Sequence, residues 1–268
     1  MNINRYNQLL LAVLGSLAVL FLIIAIINFV VETTRYSYDD DDPGILSEEK
    51  IEELQKENKR EQVISYELPR LVDSLNSIYA IPVSYTNLNE EENIDGILNA
   101  MASSDSYSKT DKRYSSVFFG TFNNIVLFDA EEGTSNRLFN HRANFDKIDT
   151  QYFENDIIML IQTSDKDTYR DGVINMRDLQ NLYIYSFANK KLKEIKMEGH
   201  TVYNYNFLNE TKDLLIQFGV DRNKDGQYND YKEPAIVKRY LFEKSKLIDL
   251  VDPKTNSELQ KMLEGTPF

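Results

Sequence analysis

The chain of 268 residues is strongly acidic, with 43 Asp and Glu against 30 Lys and Arg and a formal net charge of −13. Affinity for phosphate needs clustered Lys and Arg, so this balance argues against a nucleic-acid partner. The chain has no cysteine, which excludes disulfides and thiolate chemistry, and its two histidines, His141 and His200, are far apart, which argues against a zinc site or a catalytic triad.

Leu9–Val31 is an uncharged apolar segment. At about 1.5 Å per residue it would form a helix of roughly 34 Å, enough to cross a hydrocarbon core of about 30 Å. It is too long for a signal-peptide core, and no small-residue cleavage site follows it. The sequence therefore predicts a short head and a transmembrane anchor over residues 1–32. The positive charges on its two flanks nearly balance, but a very short head before a long body favours an exported body. We expect a single-pass cell membrane protein whose body is periplasmic or extracellular.

Residues 33–46 contain four consecutive aspartates, and we expect them to form a solvated acidic linker. Ser47 can cap a short juxtamembrane helix, which should end before Pro69. Whether Arg70–Ala80 forms a strand or a further helix stays open. We therefore assign residues 47–113 to a region of helices and loops.

From Tyr114 the sequence consists of short runs of β-branched and aromatic residues separated by turn residues. This pattern is typical of β-strands. Two segments match at one constant offset, NLYIYSFANKKLKEI from Asn181 and AIVKRYLFEKSKLIDL from Ala235. The tripeptide LIQ at Leu160 recurs at Leu215 with the same offset, and NIVLFDAEEGTSNRLF is an earlier copy with a longer hairpin tip. A fixed period of roughly 55 residues indicates repeated units of about four strands each.

About two and a half such units fit in the chain, whereas a closed propeller needs about 4–8 blades. We therefore predict a mainly β fold. An N-terminal transmembrane helix and a short juxtamembrane helix should be followed by an antiparallel β-meander, or partial propeller of blade-like repeats, over residues 114–252. Residues 253–268 would be a C-terminal tail. The alternative is an ordinary meander whose strands share only a generic β composition.

The pattern LYIYSFxxKKLKEI, the strand pair after it and a DxNxDG loop between units resemble bacterial TolB-like propeller segments. They also resemble membrane-anchored bacterial proteins of unknown function that carry EF-hand-like loops. The resemblance extends over Tyr114–Val251. It implies an envelope protein with a β-meander body, and it implies no particular reaction.

The stretch GVDRNKDGQYNDYKEP has alternating side-chain oxygens ahead of a glycine, as the calcium loop of an EF-hand does. Gly226 would make the sharp turn at position six. Position twelve is Lys232 instead of the usual bidentate glutamate, but a shifted loop would bring Glu233 to the ion. The predicted calcium ligands are Asp221, Asn223, Asp225, Gln227 through its backbone carbonyl, and Glu233.

An earlier stretch, TSDKDTYRDGVINMRDL, lies at the equivalent point of the preceding unit. Tyr169 takes position three, where a carboxylate or amide is expected, and Asp165 would substitute if this loop holds an insertion. The predicted calcium ligands here are Asp165, Asp167, Asp171 and Asp178. The alternative for both stretches is a solvated turn, because Asp, Asn and Gly also build turns.

These features predict a non-enzymatic, membrane-anchored envelope protein that binds Ca²⁺ in its loops and another protein through its β body. Its tyrosine-rich strands offer a contact surface, since Tyr is enriched at interfaces. The alternative is a carboxylate-dependent hydrolase or carbohydrate-active enzyme, which needs two carboxylates about 5–10 Å apart in a cleft. The sequence contains no GxSxG, HExxH, P-loop or GxGxxG motif.

Overall fold

The computed structural model describes Gly15, Leu22, residues 44–88 and residues 117–265 of the chain. Met1–Asp42 forms one unit and Pro43–Phe268 forms another. All the helices and strands that follow belong to the second unit.

Short strands dominate the described part of the second unit, with one helix near each of its ends. The helices are α1 (Glu48–Lys56) and α2 (Pro253–Glu264). The strands are β1 (Ile45–Leu46), β2 (Gln62–Tyr66), β3 (Arg70–Asp73), β4 (Ile78–Asn87), β5 (Val117–Phe122), β6 (Asn124–Asp129), β7 (Thr134–Arg137), β8 (Phe145–Phe153), β9 (Asp156–Ser164), β10 (Val173–Ile174), β11 (Gln180–Ser186), β12 (Lys191–Ile195), β13 (His200–Phe207), β14 (Leu214–Val220), β15 (Ala235–Leu241) and β16 (Lys246–Asp249).

The strands form three antiparallel sheets and one small strand pair. The first sheet has the order β2-β4-β6-β7, with β3 also paired to β4. The second sheet has the order β12-β11-β9-β8-β5, and the third has β13-β14-β15-β16. The small pair joins β1 to β10.

The second sheet has apolar residues buried on both faces. In β9, Met159 and Ile161 belong to one apolar cluster, which includes residues of the first sheet. Ile158 and Leu160 belong to another, which includes residues of the third sheet. Because successive side chains in a strand point to opposite faces, this alternation places the second sheet between the two clusters.

The second and third sheets repeat the same strand pairing. Leu160 pairs with Ile184 in the second sheet, and Leu215 pairs with Arg239 in the third, so both partners are displaced by 55 residues. The constant offset between matching sequence segments therefore also separates the equivalent strand pairs of the two sheets.

The predicted fold class is wrong in its membrane element. In the described ranges, no helix is long and apolar enough to cross a membrane. The predicted anchor, Leu9–Val31, lies outside the described residues apart from Gly15 and Leu22.

The blade-like units predicted from the sequence correspond to sheets that differ in strand number and order. β4 has ten residues, and its length lets it pair with β2, β3 and β6. β5 precedes the matched segments and adds an edge strand to the second sheet. The stretch predicted as helices and loops holds β2, β3 and β4, because α1 already ends at Lys56.

The stretch predicted as a C-terminal tail contains α2. The Asp252 carboxylate accepts hydrogen bonds from the backbone N–H groups of Lys254 and Thr255, both at 3.0 Å, which caps the first turn. Pro253 suits the first helical position, and Gly265 ends the helix in the left-handed conformation. None of the residues of α2 is buried.

Replacing Phe218 by alanine should lower the free energy of unfolding by about 3–5 kcal/mol, because its ring is fully buried in the cluster that joins the second and third sheets. Phe119 is the matched control, since its side chain is 75% exposed. Phe119→Ala should cost less than about 1 kcal/mol. Urea unfolding followed by circular dichroism measures both, and equal losses would contradict this assignment of the core.

Candidate functional site

Two acidic loops occupy equivalent places in the second and third sheets. Acidic loop 1 (residues 165–178) follows β9 and contains β10 on the way to β11. Acidic loop 2 (residues 221–233) follows β14 and leads to β15. All the predicted calcium ligands lie in these two loops.

The front half of acidic loop 2 folds around its own side-chain oxygens. The Asp221 carboxylate accepts hydrogen bonds from the backbone N–H of Lys224 at 2.7 Å and of Gly226 at 3.1 Å. The Asn223 side-chain oxygen accepts one from the N–H of Asp225 at 2.9 Å, and its amide donates to the Asp225 carboxylate at 2.7 Å. The three predicted ligands at positions one, three and five therefore lie on one tight turn.

Glu233 closes acidic loop 2. One of its carboxylate oxygens accepts from the backbone N–H of Arg222 at 2.8 Å and of Asn223 at 3.2 Å, and the other accepts from Asn229 at 3.0 Å. The Asn229 N–H in particular lowers the pKa of Glu233, and the other two donors act in the same direction against the effect of burial. Lys232 is exposed, so the residue after position twelve takes the closing role.

Asp178 does the same work in acidic loop 1. Its carboxylate accepts from the backbone N–H of Thr168 at 2.6 Å, of Tyr169 at 2.9 Å and of Asn175 at 3.0 Å. These donors occupy the same three loop positions as the donors to Glu233. Asp178 is only 2% exposed, and this burial raises its pKa even though the hydrogen bonds oppose the shift.

The front half of acidic loop 1 keeps part of the same pattern. The Asp167 carboxylate accepts from the N–H of Asp171 at 3.2 Å and of Gly172 at 3.0 Å, as Asp221 does in acidic loop 2. Asp165 lies apart from this turn, because its carboxylate is 3.5 Å from the Asn181 amide nitrogen and from the Tyr183 hydroxyl. Asp165 therefore does not supply the carboxylate or amide that is missing at position three, which Tyr169 occupies.

The two loops contact each other through Thr168 and Gly226. The Thr168 hydroxyl donates to the Gly226 carbonyl at 2.6 Å and accepts from the N–H of Leu179 at 2.9 Å. A Cβ atom on Gly226 would lie 1.9 Å from the Thr168 carbonyl oxygen. The contact thus requires glycine at this position, and the sequence pattern alone did not reveal Thr168.

The donor types of acidic loop 2 fit Ca²⁺, which prefers carboxylate, amide and carbonyl oxygens. In residues 44–88 and 117–265, however, no three Asp, Glu, His or Cys side chains are grouped so as to hold a metal ion. The carboxylate oxygens of Asp221 and Glu233 instead face backbone N–H groups. Binding of an ion would therefore require these side chains to shift towards the loop interior.

A cavity of about 950 Å³ lies beside acidic loop 1. The Tyr183 hydroxyl lies 3.1 Å from the His141 ring nitrogen Nε2, 3.2 Å from a carboxylate oxygen of Glu194 and 3.5 Å from one of Asp165. Sequence reasoning missed this group. The one part of this group that a predicted hairpin could have brought together is the pair Tyr183 and Glu194, which are direct partners in neighbouring strands.

No protein-family model matches the chain. Neither the curated proteins nor the solved structures contain a match. The resemblance to TolB-like propeller segments is therefore untested. A function for this chain has to be inferred from the geometry of the loops and the cavity.

Gly226→Ala should destabilise the protein more than Gly172→Ala. Both glycines occupy position six of their loops with positive φ, +86° and +95°, so alanine costs about 1–2 kcal/mol of backbone strain in each. A Cβ at Gly172 meets nothing within 4 Å, whereas at Gly226 it meets Thr168. The clash should cost roughly 1–3 kcal/mol more, measured by urea unfolding, and equal effects would contradict the contact between the loops.

Glu233 and Asp178 should give opposite pH dependences of stability. The lowered pKa of Glu233 gives a stabilisation that is present above its unfolded pKa of about 4.3 and lost as pH falls through its folded value. The raised pKa of Asp178 gives a contribution that is present below about 3.9 and lost as pH rises through its folded value.

Urea unfolding from about pH 3 to pH 7 measures these dependences for the wild type, Glu233→Gln and Asp178→Asn. Relative to the wild type, Glu233→Gln should lose more stability at the upper end of this range. Asp178→Asn should lose more at the lower end. Two variants whose pH profiles run parallel to the wild type would contradict both assignments.

Proposed function

We propose that the protein binds Ca²⁺ in acidic loop 2 and that the ion stiffens the connection between β14 and β15 of a non-enzymatic β-sheet protein. The observation that carries this proposal is the position of Glu233, whose carboxylate reaches back over the loop to the N–H groups of Arg222, Asn223 and Asn229. It supplies the closing carboxylate that Lys232 cannot supply.

The hydrogen bonds within the loop leave acceptor capacity for a cation. An ionised carboxylate has about four lone-pair sites. Asp221 uses two of them for backbone N–H groups and Glu233 uses three. The charge of Asp225 raises the pKa of Glu233 and so works against its ionised form, and a bound cation would offset this repulsion.

The affinity should be low, because acidic loop 2 has only three carboxylates among its predicted ligands and no metal-holding group is preformed in the described residues. Calcium sites with little ligand charge bind with dissociation constants of about 10⁻⁴–10⁻³ M, which is typical of extracellular modules. This range agrees with the prediction of an exported body, where calcium is abundant. Asp167, Asp171 and Asp178 stay predicted ligands of a second site. This site should be weaker, because Tyr169 offers no carboxylate or amide at position three.

A protein partner would contact the tyrosines next to acidic loop 2. Tyr231 is 93% exposed, and Tyr203 lies beside Tyr228 with ring centroids 5.3 Å apart. The Tyr203 hydroxyl donates to Asp230 at 2.9 Å, so its orientation is fixed from within the loop. A calcium ion that stiffens the loop would also fix this patch for binding, since ordering a surface in advance reduces the entropic cost of association.

Calorimetric titration of the full chain with CaCl₂ tests the proposal. Asp225→Asn and Glu233→Gln should each weaken binding roughly tenfold or more, because a weak site loses much of its attraction with each charge. Asp230→Asn is the matched control, since this exposed carboxylate bonds to Tyr203 and not to the loop backbone.

The melting temperature of the wild type should rise with calcium concentration, because an ion that binds only the folded state stabilises it by mass action. Lys232→Gln should bind calcium at least as well as the wild type. An absence of heat and of any melting shift at millimolar calcium would refute the proposal. Equal affinities for the wild type and Glu233→Gln would refute the closing role of Glu233.

A further inference from the structure

The cavity beside acidic loop 1 is built from four separate stretches of chain. Its volume of about 950 Å³ lies within the range of about 300–1,000 Å³ that is usual for small-molecule sites. The walls come from the start of α1, the connection between β7 and β8, acidic loop 1, and the neighbouring strands β11 and β12. The lining of the cavity includes His141, Arg142, Asp165, Tyr183, Glu194 and Lys196.

One wall has more hydrogen-bond acceptors than protons to fill them. Tyr183 has a single hydroxyl proton, and two carboxylates that can only accept, Asp165 and Glu194, lie within 3.5 Å of it, together with the His141 ring nitrogen Nε2. Burial, together with the two carboxylates, raises the pKa of Tyr183, so the hydroxyl keeps its proton. The Asn181 amide nitrogen lies 3.5 Å from Asp165 and 3.3 Å from Glu194. Both carboxylates line the cavity and can accept further hydrogen bonds, since an ionised carboxylate has about four lone-pair sites.

Another wall supplies donors. Arg142 donates to the Leu46 carbonyl through Nη2, while its Nη1 is buried and has no hydrogen-bond partner among the described residues. Lys196 also lines the cavity and pairs with Glu194 at 2.8 Å. Because Nη1 of Arg142 has almost no accessible surface, the donors that this wall offers to a ligand are Lys196 and the exposed Arg170.

These walls select the chemical class of the ligand. Asp165 and Glu194 are hydrogen-bond acceptors, so they favour a ligand that carries hydrogen-bond donors. A ligand with a single strong charge would face like charges, because Glu48, Glu49 and Asp171 line the cavity together with Lys166 and Arg170. A hydroxyl group both donates and accepts, so a neutral polyhydroxylated ligand meets both walls without an unpaired charge.

We propose that this cavity binds a saccharide, with Asp165 and Glu194 accepting hydrogen bonds from its hydroxyl groups and with Arg170 and Lys196 donating to its oxygens. The ring group of Phe139, His141 and Tyr183 holds the acceptor wall in place. The Phe139 and Tyr183 centroids are 5.1 Å apart, and those of His141 and Tyr183 are 5.5 Å apart. This inference does not depend on calcium in acidic loop 2.

The test uses the full chain in EDTA and four neutral disaccharides, namely maltose, cellobiose, mannobiose and N,N′-diacetylchitobiose, each at about 10 mM, a concentration that detects millimolar affinities. Saturation-transfer NMR should show contact with at least one of them. Isothermal titration should then show roughly tenfold weaker binding for Glu194→Gln and for Asp165→Asn, because each loses a hydrogen bond to a charged acceptor.

Glu198→Gln is the matched control, since this exposed glutamate lies outside the cavity lining, and it should bind as the wild type does. Circular dichroism confirms that each variant is folded. Absence of saturation transfer from all four disaccharides would overturn the proposal, and so would undiminished binding by both folded cavity variants. Binding of free glycine without any disaccharide would also overturn it, and would assign the cavity to a zwitterion.

Discussion

The acidic loops depend on one interaction, the capture of backbone N–H groups by carboxylates of the same loop. A buried N–H without a partner is costly, and a tight turn between strands turns several such groups inward. In acidic loop 2, Asp221 and Glu233 between them accept five of these bonds. These bonds fix the turn, and the turn fixes where β15 begins after β14. Acidic loop 1 uses Asp167 and Asp178 in the same way.

The two loops have the same hydrogen-bond layout but different electrostatics. Asp178 is 2% exposed and its burial raises its pKa, whereas the backbone donors dominate at Glu233 and lower its pKa. A carboxylate that is costly to ionise serves as a structural acceptor, while one that ionises readily is suited to hold a cation. This difference favours acidic loop 2 as the calcium loop and acidic loop 1 as a structural support.

Sequence reasoning found what is local and periodic. The offset between Leu160 and Leu215 could be predicted because equivalent strands keep equivalent patterns, and Asp221 and Asp225 could be located because the turn needs them at fixed spacings. The equivalence of Asp178 and Glu233 was hidden by a one-residue shift, which the longer glutamate side chain spans. The group around Tyr183 could not be predicted, because His141 is 42 residues away and only the packing of sheets brings it near. The strand β2 was missed because a helix was expected to extend to Pro69, and β3 lies in a stretch that the sequence left open between a strand and a helix.

Acidic loop 1 lacks a carboxylate or amide at position three, and the segments packed against the loop explain how it keeps its turn without one. Its β10 pairs with β1, and the N–H of Ser47 donates to the Gly172 carbonyl at 2.9 Å, so the stretch ahead of α1 clamps the loop from outside. Asp165 lies ahead of this clamped turn, and its carboxylate lies 3.5 Å from the Tyr183 hydroxyl. Thr168 also links acidic loop 1 to Gly226 through its hydroxyl and a close backbone contact. Asp165 thus does not take position three of acidic loop 1 and instead lines the cavity beside Tyr183.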